Sequence, residues 1–127
     1  MAVGDLATRV TPGERVAGDP TPGLTRERAF ATDGMWAGFA STEPHVTTAW
    51  HHHGEHETVI YVVSGELRIE CGPGGAHVVE GGAGDFVRVP PGAIHRESNP
   101  AHVENHLVVV RVGEGPPTVN VDAPAPG

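Results

Sequence analysis

Four of the nine histidines in this 127-residue chain fall within six residues, in Trp50-His51-His52-His53-Gly54-Glu55-His56-Glu57-Thr58-Val59-Ile60-Tyr61-Val62-Val63-Ser64-Gly65. The apolar run that follows reads as a strand, so the histidines sit at a strand entrance. In an extended segment side chains alternate between faces, which places His51 and His53 together and His52 on the opposite side. Two imidazoles fixed on one face form half of a site for a divalent transition metal; neutral imidazole nitrogen suits iron, zinc, nickel and copper.

A third candidate ligand, His95, lies in Gly84-Asp85-Phe86-Val87-Arg88-Val89-Pro90-Pro91-Gly92-Ala93-Ile94-His95-Arg96-Glu97-Ser98-Asn99, which reads as strand, Pro-Pro-Gly turn and second strand. Here the chain resembles the cupin superfamily. His51 and His53 with Gly65 resemble the first cupin motif, and Gly84, Pro90, Gly92, His95 and Asn99 fit the second, G-x5-P-x-G-x2-H-x3-N, at every position.

The resemblance implies an all-β fold, a single cupin (double-stranded β-helix or jelly-roll) barrel, with one divalent transition metal (Fe, Zn, Ni or Mn) held by His51, His53 and His95. In that family a glutamate seven residues before the motif's closing glycine ordinarily joins the histidines, but here that place is Thr58. Three arrangements stay open: a plain three-histidine site, ligation by Glu57 through a bulge at the strand start, or ligation by His56. In each, Glu57 is the nearest carboxylate to the metal-binding segment and is the candidate catalytic proton acceptor. Three histidines leave the ion its full double charge, which favours an anionic or chelating small molecule. The first expectation is an oxygenase acting on such a substrate. The alternatives are a non-redox metal-dependent isomerase, cyclase or rearrangement enzyme and a non-catalytic ligand-binding module, since the fold alone does not choose a reaction.

The length allows one domain with a modest core, and Gly 18 with Pro 12 points to short strands joined by turns rather than a helical bundle. Net charge is -8, and all eight basic residues are arginines. An acidic chain without a basic cluster does not favour nucleic acid or anionic membranes, and a chain without lysine offers no side-chain amine for Schiff bases. Cys71 is the only cysteine, which excludes an intramolecular disulfide. With no signal-like or long apolar segment, the expected location is cytoplasmic.

The elements that must position the ligands follow. Residues 1–28 read as an N-terminal arm, 29–113 as the barrel, and 114–127 as a loose C-terminal tail or an arm on a partner. Thr58, Ile60 and Val62 are expected to face the cavity, with Val59, Tyr61 and Val63 on the other side. Leu67, Ile69 and Cys71 form the inner row of the next strand, and either Trp36 or Phe39 lines the cavity. The glycines around 72–75 and 81–84 suit turns and lack the lysine and helix of a phosphate loop. His52, His77, His102 and His106 are expected at the surface or rim, and His45 in a turn. Apolar residues on both faces of the 58–63 strand need a second layer, which points to a homodimer or the N-terminal arm; Trp50 is a candidate interface anchor.

Overall fold

Alternation of apolar and polar residues at period two builds the strands that dominate the fold. A computed structural model describes residues 6–127; residues 1–5 of the expected arm lie outside the described part. The strands are β1 (Val16–Ala17), β2 (Thr25–Ala31), β3 (Met35–Ser41), β4 (His51–His52), β5 (Glu57–Ser64) and β6 (Glu66–Cys71). They continue as β7 (His77–Gly82), β8 (Phe86–Val89), β9 (His95–Ser98), β10 (His106–Val112) and β11 (Val119–Asn120). Every pairing is antiparallel. One sheet has the order β1-β2-β3-β10-β5-β8 and the other β11-β4-β9-β6-β7, packed as a jelly roll. Among the described residues no helix is long and apolar enough to cross a membrane.

The expected face assignments hold along β5, where Thr58, Ile60 and Val62 are buried while Val59 and Val63 are exposed. Register with β10 and β8 extends the inner row across the sheet to Leu107, Val109, Val87 and Val89, and β3 adds Trp36 and Ala40. Leu67 and Ile69 face them from β6. These side chains form the core. Trp36, not Phe39, is the aromatic that turns inward.

Among the described residues, the segments near both chain ends are more tightly held than their composition suggests. The segment expected as an arm contributes β1 and β2, and β2 pairs along β3. Residues expected as a loose tail contribute β11, which pairs with the ligand strand through Val119↔His52 and Asn120↔His51. Two motif residues have plain structural causes. Gly65 has φ +82°, and an added Cβ would meet Asn105 Cα at 2.8 Å, so only glycine makes this turn. The fully buried Asn99 donates to the carbonyls of Thr42 and Val103 and accepts from Ala101 N–H, closing the loop between β9 and β10.

Candidate metal centre

His51 and His95 are directly opposed in the β4–β9 pairing, and cross-strand neighbours on one face have adjacent side chains. His53 follows two residues after His51 and turns to the same interior. The structure brings the three imidazoles together: ring centroids are 4.3 Å (His51–His95), 5.0 Å (His53–His95) and 5.2 Å (His51–His53) apart. One nitrogen from each lies within 4.8 Å of the others, and all three residues are buried.

Their tautomers follow from hydrogen bonding. Nδ1 of His51 lies 2.9 Å from the Ala49 carbonyl, Nδ1 of His95 2.9 Å from the Ala93 carbonyl, and Nδ1 of His53 2.8 Å from the Pro117 carbonyl. A carbonyl only accepts, so each Nδ1 carries the proton and donates it, and in the neutral ring Nε2 holds the lone pair. Nε2 of His51 and of His95 is buried without a hydrogen-bond partner. Carbonyls that orient each ring by its far nitrogen are the usual supports of metal-ligating histidine. The donor set therefore fits a transition metal.

Burial keeps His51 and His53 neutral. Burial, aided by His95 and Arg26, takes the pKa of His51 down to about 4 against a contrary pull from Glu97. Burial, with Arg111, His95 and His51, holds His53 well below the ordinary histidine range. A neutral imidazole at pH 7 is the form that binds a metal.

The other candidates fall elsewhere. Glu57 is on the outer face of β5, exposed, and accepts from Arg88 Nε at 2.7 Å, so no bulge turns it inward. The face alternation that buries Thr58 sends its neighbour out. His56 is buried, but its Nδ1 donates to the His53 carbonyl at 3.0 Å and it is not part of the cluster. Thr58 faces the interior, its Oγ1 without a partner. Trp50 is half-buried within its own chain, against Arg96 (4.6 Å) and the backbone at Gly75.

Three buried charges escaped the sequence reading. Glu97, 4% exposed, lies on β9 two residues after His95 and so on the same face, with Oε1 3.8 Å from His95 Nε2. The His-x-Glu alternation in β9 could have revealed it. Burial raises its pKa, but His95, His51 and Arg26 outweigh that and hold it at about 2. Arg26 and Arg111, 5% and 2% exposed, come from the inner face of the six-stranded sheet. Arg26 donates to the Asp19 carbonyl and Thr21 Oγ1, and Arg111 stacks 4.4 Å over Trp36. Both keep guanidinium nitrogens without a partner. Burial and then Arg26 take Arg111 down to about 9. Beside the histidine cluster a cavity of about 520 Å³ is lined by Ile69, Val79, Val87, Val89 and Ile94, with His95 in its wall. Cys71 and His77, expected in the core and at the surface, also line it.

The sequence pattern described as "Cupin domain" matches residues 38–111, well over half of the chain. The chain belongs to the cupin domain family. Comparison with curated proteins returns no match. Among solved structures this cupin is similar to the polyketide cyclase RemF from Streptomyces resistomycificus (25% identity, TM-score 0.72, covering 91% of this chain and 86% of that one). It is also similar to an S161A mutant of the Bacillus subtilis oxalate decarboxylase OxdC (17% identity, TM-score 0.71, 85% of this chain but 30% of that one). The cupin domain of Schizosaccharomyces pombe Cnp3 aligns at 12% identity and TM-score 0.65 over 72% of this chain, which spans 65% of that domain.

Proposed function

We propose that this cupin is a metalloenzyme in which His51, His53 and His95 hold one divalent transition metal, and that it acts on a small, largely apolar molecule presenting an anionic oxygen. The observation that carries the reading is the locking of all three Nδ1–H groups onto backbone carbonyls, which leaves the other nitrogens directed into one buried cluster. The apolar walls beside His95 would receive the hydrocarbon part of the substrate and exclude water. Two buried guanidiniums against one buried carboxylate leave the interior positive, which favours an anion.

For the reaction we favour a non-redox cyclisation or isomerisation over the oxygenase expected first. Support comes from the likeness to RemF, named a polyketide cyclase, along nearly the whole of both chains. A bound ion would polarise the substrate oxygen as a Lewis acid. Two measurements test the proposal. Protein purified without chelators should contain one equivalent of metal, lost in His95→Ala. Turnover of β-dicarbonyl or hydroxyaromatic probes should then proceed without oxygen uptake; stoichiometric uptake would establish the oxygenase instead.

We also infer a homodimer through the outer face of the six-stranded sheet. Val59, Val63, Val108 and Val112 are exposed there, as is Phe86 at 73%. Among the described residues the N-terminal segment lies over part of this face, where Arg15 stacks on Phe39 and Val10 and Pro12 line a hollow with Val108. An apolar row of this extent on a sheet face suits a second copy of the same surface.

A further inference from the structure

We infer that Arg26 and Arg111 form a buried pair that binds the carboxylate of a small organic acid inside the barrel; this rests on the reading above of the interior as a substrate site and names the anionic group. Arg26 is held by one nitrogen only. Its Nη1 donates to the Asp19 carbonyl at 2.7 Å and to Thr21 Oγ1 at 3.0 Å, while Nε and Nη2 are buried without a partner. Nε and Nη2 form one edge of the guanidinium, a two-pronged donor that matches the two oxygens of a carboxylate. Arg111 likewise keeps Nε and Nη1 buried without a partner. Among the described residues neither arginine makes an ion pair. A buried charge is costly until it is paired and hydrogen-bonded, and two in one interior call for an anion.

The fold brings the two side chains to one place. Arg26 stands opposite Ala40 in the β2–β3 pairing, and Arg111 opposite Trp36 in the β3–β10 pairing, so both enter from the inner face. Trp36 joins them. Its ring lies over Gly38, where an added Cβ would meet it at 2.6 Å, and reaches Gly18, where a Cβ would lie 3.3 Å from the ring and 3.5 Å from Arg26 Cβ. Arg111 stacks 4.4 Å over the same ring. The indole is thus a shared platform, with the Arg26 stem at its edge and the Arg111 guanidinium on its face.

One inward row connects this platform to the apolar cavity. Arg111 is opposite Thr58, whose Oγ1 is buried without a partner, and Thr58 is opposite Val89 of the cavity wall. Neighbouring strands are about 4.8 Å apart, so Arg111 starts about 10 Å from that wall. An organic acid with its carboxylate on the arginines would direct its hydrocarbon part toward the cavity and past the histidines. The exposed Asp19 and the buried Glu97 both act on the two guanidiniums, yet burial, and at Arg111 the neighbouring Arg26, outweighs them.

The test titrates the metal-free full-length chain with benzoate and with benzamide, its uncharged counterpart. Calorimetry compares wild type, Arg26→Gln, Arg111→Gln and a surface control, Arg68→Gln. The expected result is benzoate bound at least tenfold more tightly than benzamide by wild type and by Arg68→Gln, with that preference lost in both interior variants. Should those variants fail to fold, nitrogen NMR of arginine-labelled wild type decides: benzoate, and not benzamide, should shift two of the eight Nε–H signals. Benzoate bound no better than benzamide overturns the pair, as does a preference that survives in both interior variants or leaves all the signals in place. Water merely bridging the guanidiniums to Glu97 would give that first result. Zinc uptake is measured on the same proteins. Zinc bound by wild type without a benzoate preference overturns the arginine pair alone, whereas a benzoate preference without zinc uptake overturns the metal reading and leaves the pair standing.

Discussion

Deleting residues 116–127 should cripple a metal site whose ligands all remain in the chain. His53 is oriented by the Pro117 carbonyl, 2.8 Å from Nδ1. The same segment places β11 against His51 and His52, and Val121 N–H donates to the Trp50 carbonyl at 3.0 Å. Asn120 adds two hydrogen bonds: its Nδ2 donates to the Pro20 carbonyl and its Oδ1 accepts from Thr21 Oγ1. Leaving the buried His53 N–H without an acceptor costs about 1–3 kcal/mol, and each lost hydrogen bond about 1 kcal/mol. The truncated chain should therefore be less stable by on the order of 4 kcal/mol, a large share of a small domain's total. Loss of an orienting partner weakens metal binding by about 10–100-fold. Urea melts of the zinc-free proteins read the first effect, and zinc competition against a chelator reads the second. In the intact chain, nitrogen NMR should find His51, His53 and His95 all as Nδ1–H tautomers. A truncated chain that binds zinc within threefold of the full chain, with His53 still in that tautomer, would refute the reasoning.

Glu57→Ala should leave metal content and turnover unchanged and stability within about 0.5 kcal/mol, because its pairing with Arg88 is exposed and surface pairs contribute little; zinc stoichiometry and a urea melt check it. The metal-free protein should weaken in acid. His51 takes up its proton near pH 6.5 when unfolded but only near 4 when folded, so the unfolded state binds more protons in that window and stability falls as pH drops through it. At pH 5 this amounts to about 2 kcal/mol from His51 alone relative to pH 7, and equal urea midpoints at the two pH values would contradict it. Phe86→Asp paired with Val59→Asp should convert a dimer into a folded monomer in sedimentation, whereas an unchanged mass would move the interface off this sheet.

Elements whose function depends on period-two alternation were legible in the sequence, and contacts across sheets were not. The pattern of Thr58, Ile60 and Val62 against Val59, Tyr61 and Val63 fixes which side of β5 meets the core, because a one-residue slip would expose the whole apolar row. His51, His53 and His95 were legible for the same reason: each occupies an inward position. Glu57 is near the histidines along the chain, but the rule that buries Thr58 turns its neighbour to the outer face. Applied to His95, the rule brings Glu97 inside. Arg26 and Arg111 lie outside the reach of such reasoning. An arginine among apolar residues ordinarily extends to water, and only the pairing of β2 with β3 and of β3 with β10 turns these two inward. The tail was misjudged on composition, since its prolines and glycines suit a loose end. Yet Pro117 lends a ligand histidine its carbonyl, which needs no side-chain chemistry and leaves no signature in residue type. A cation in the barrel would thus depend on backbone atoms as much as on the motif histidines: three carbonyls, one from each of Ala49, Ala93 and Pro117, decide which nitrogen of each ring is free to bind it.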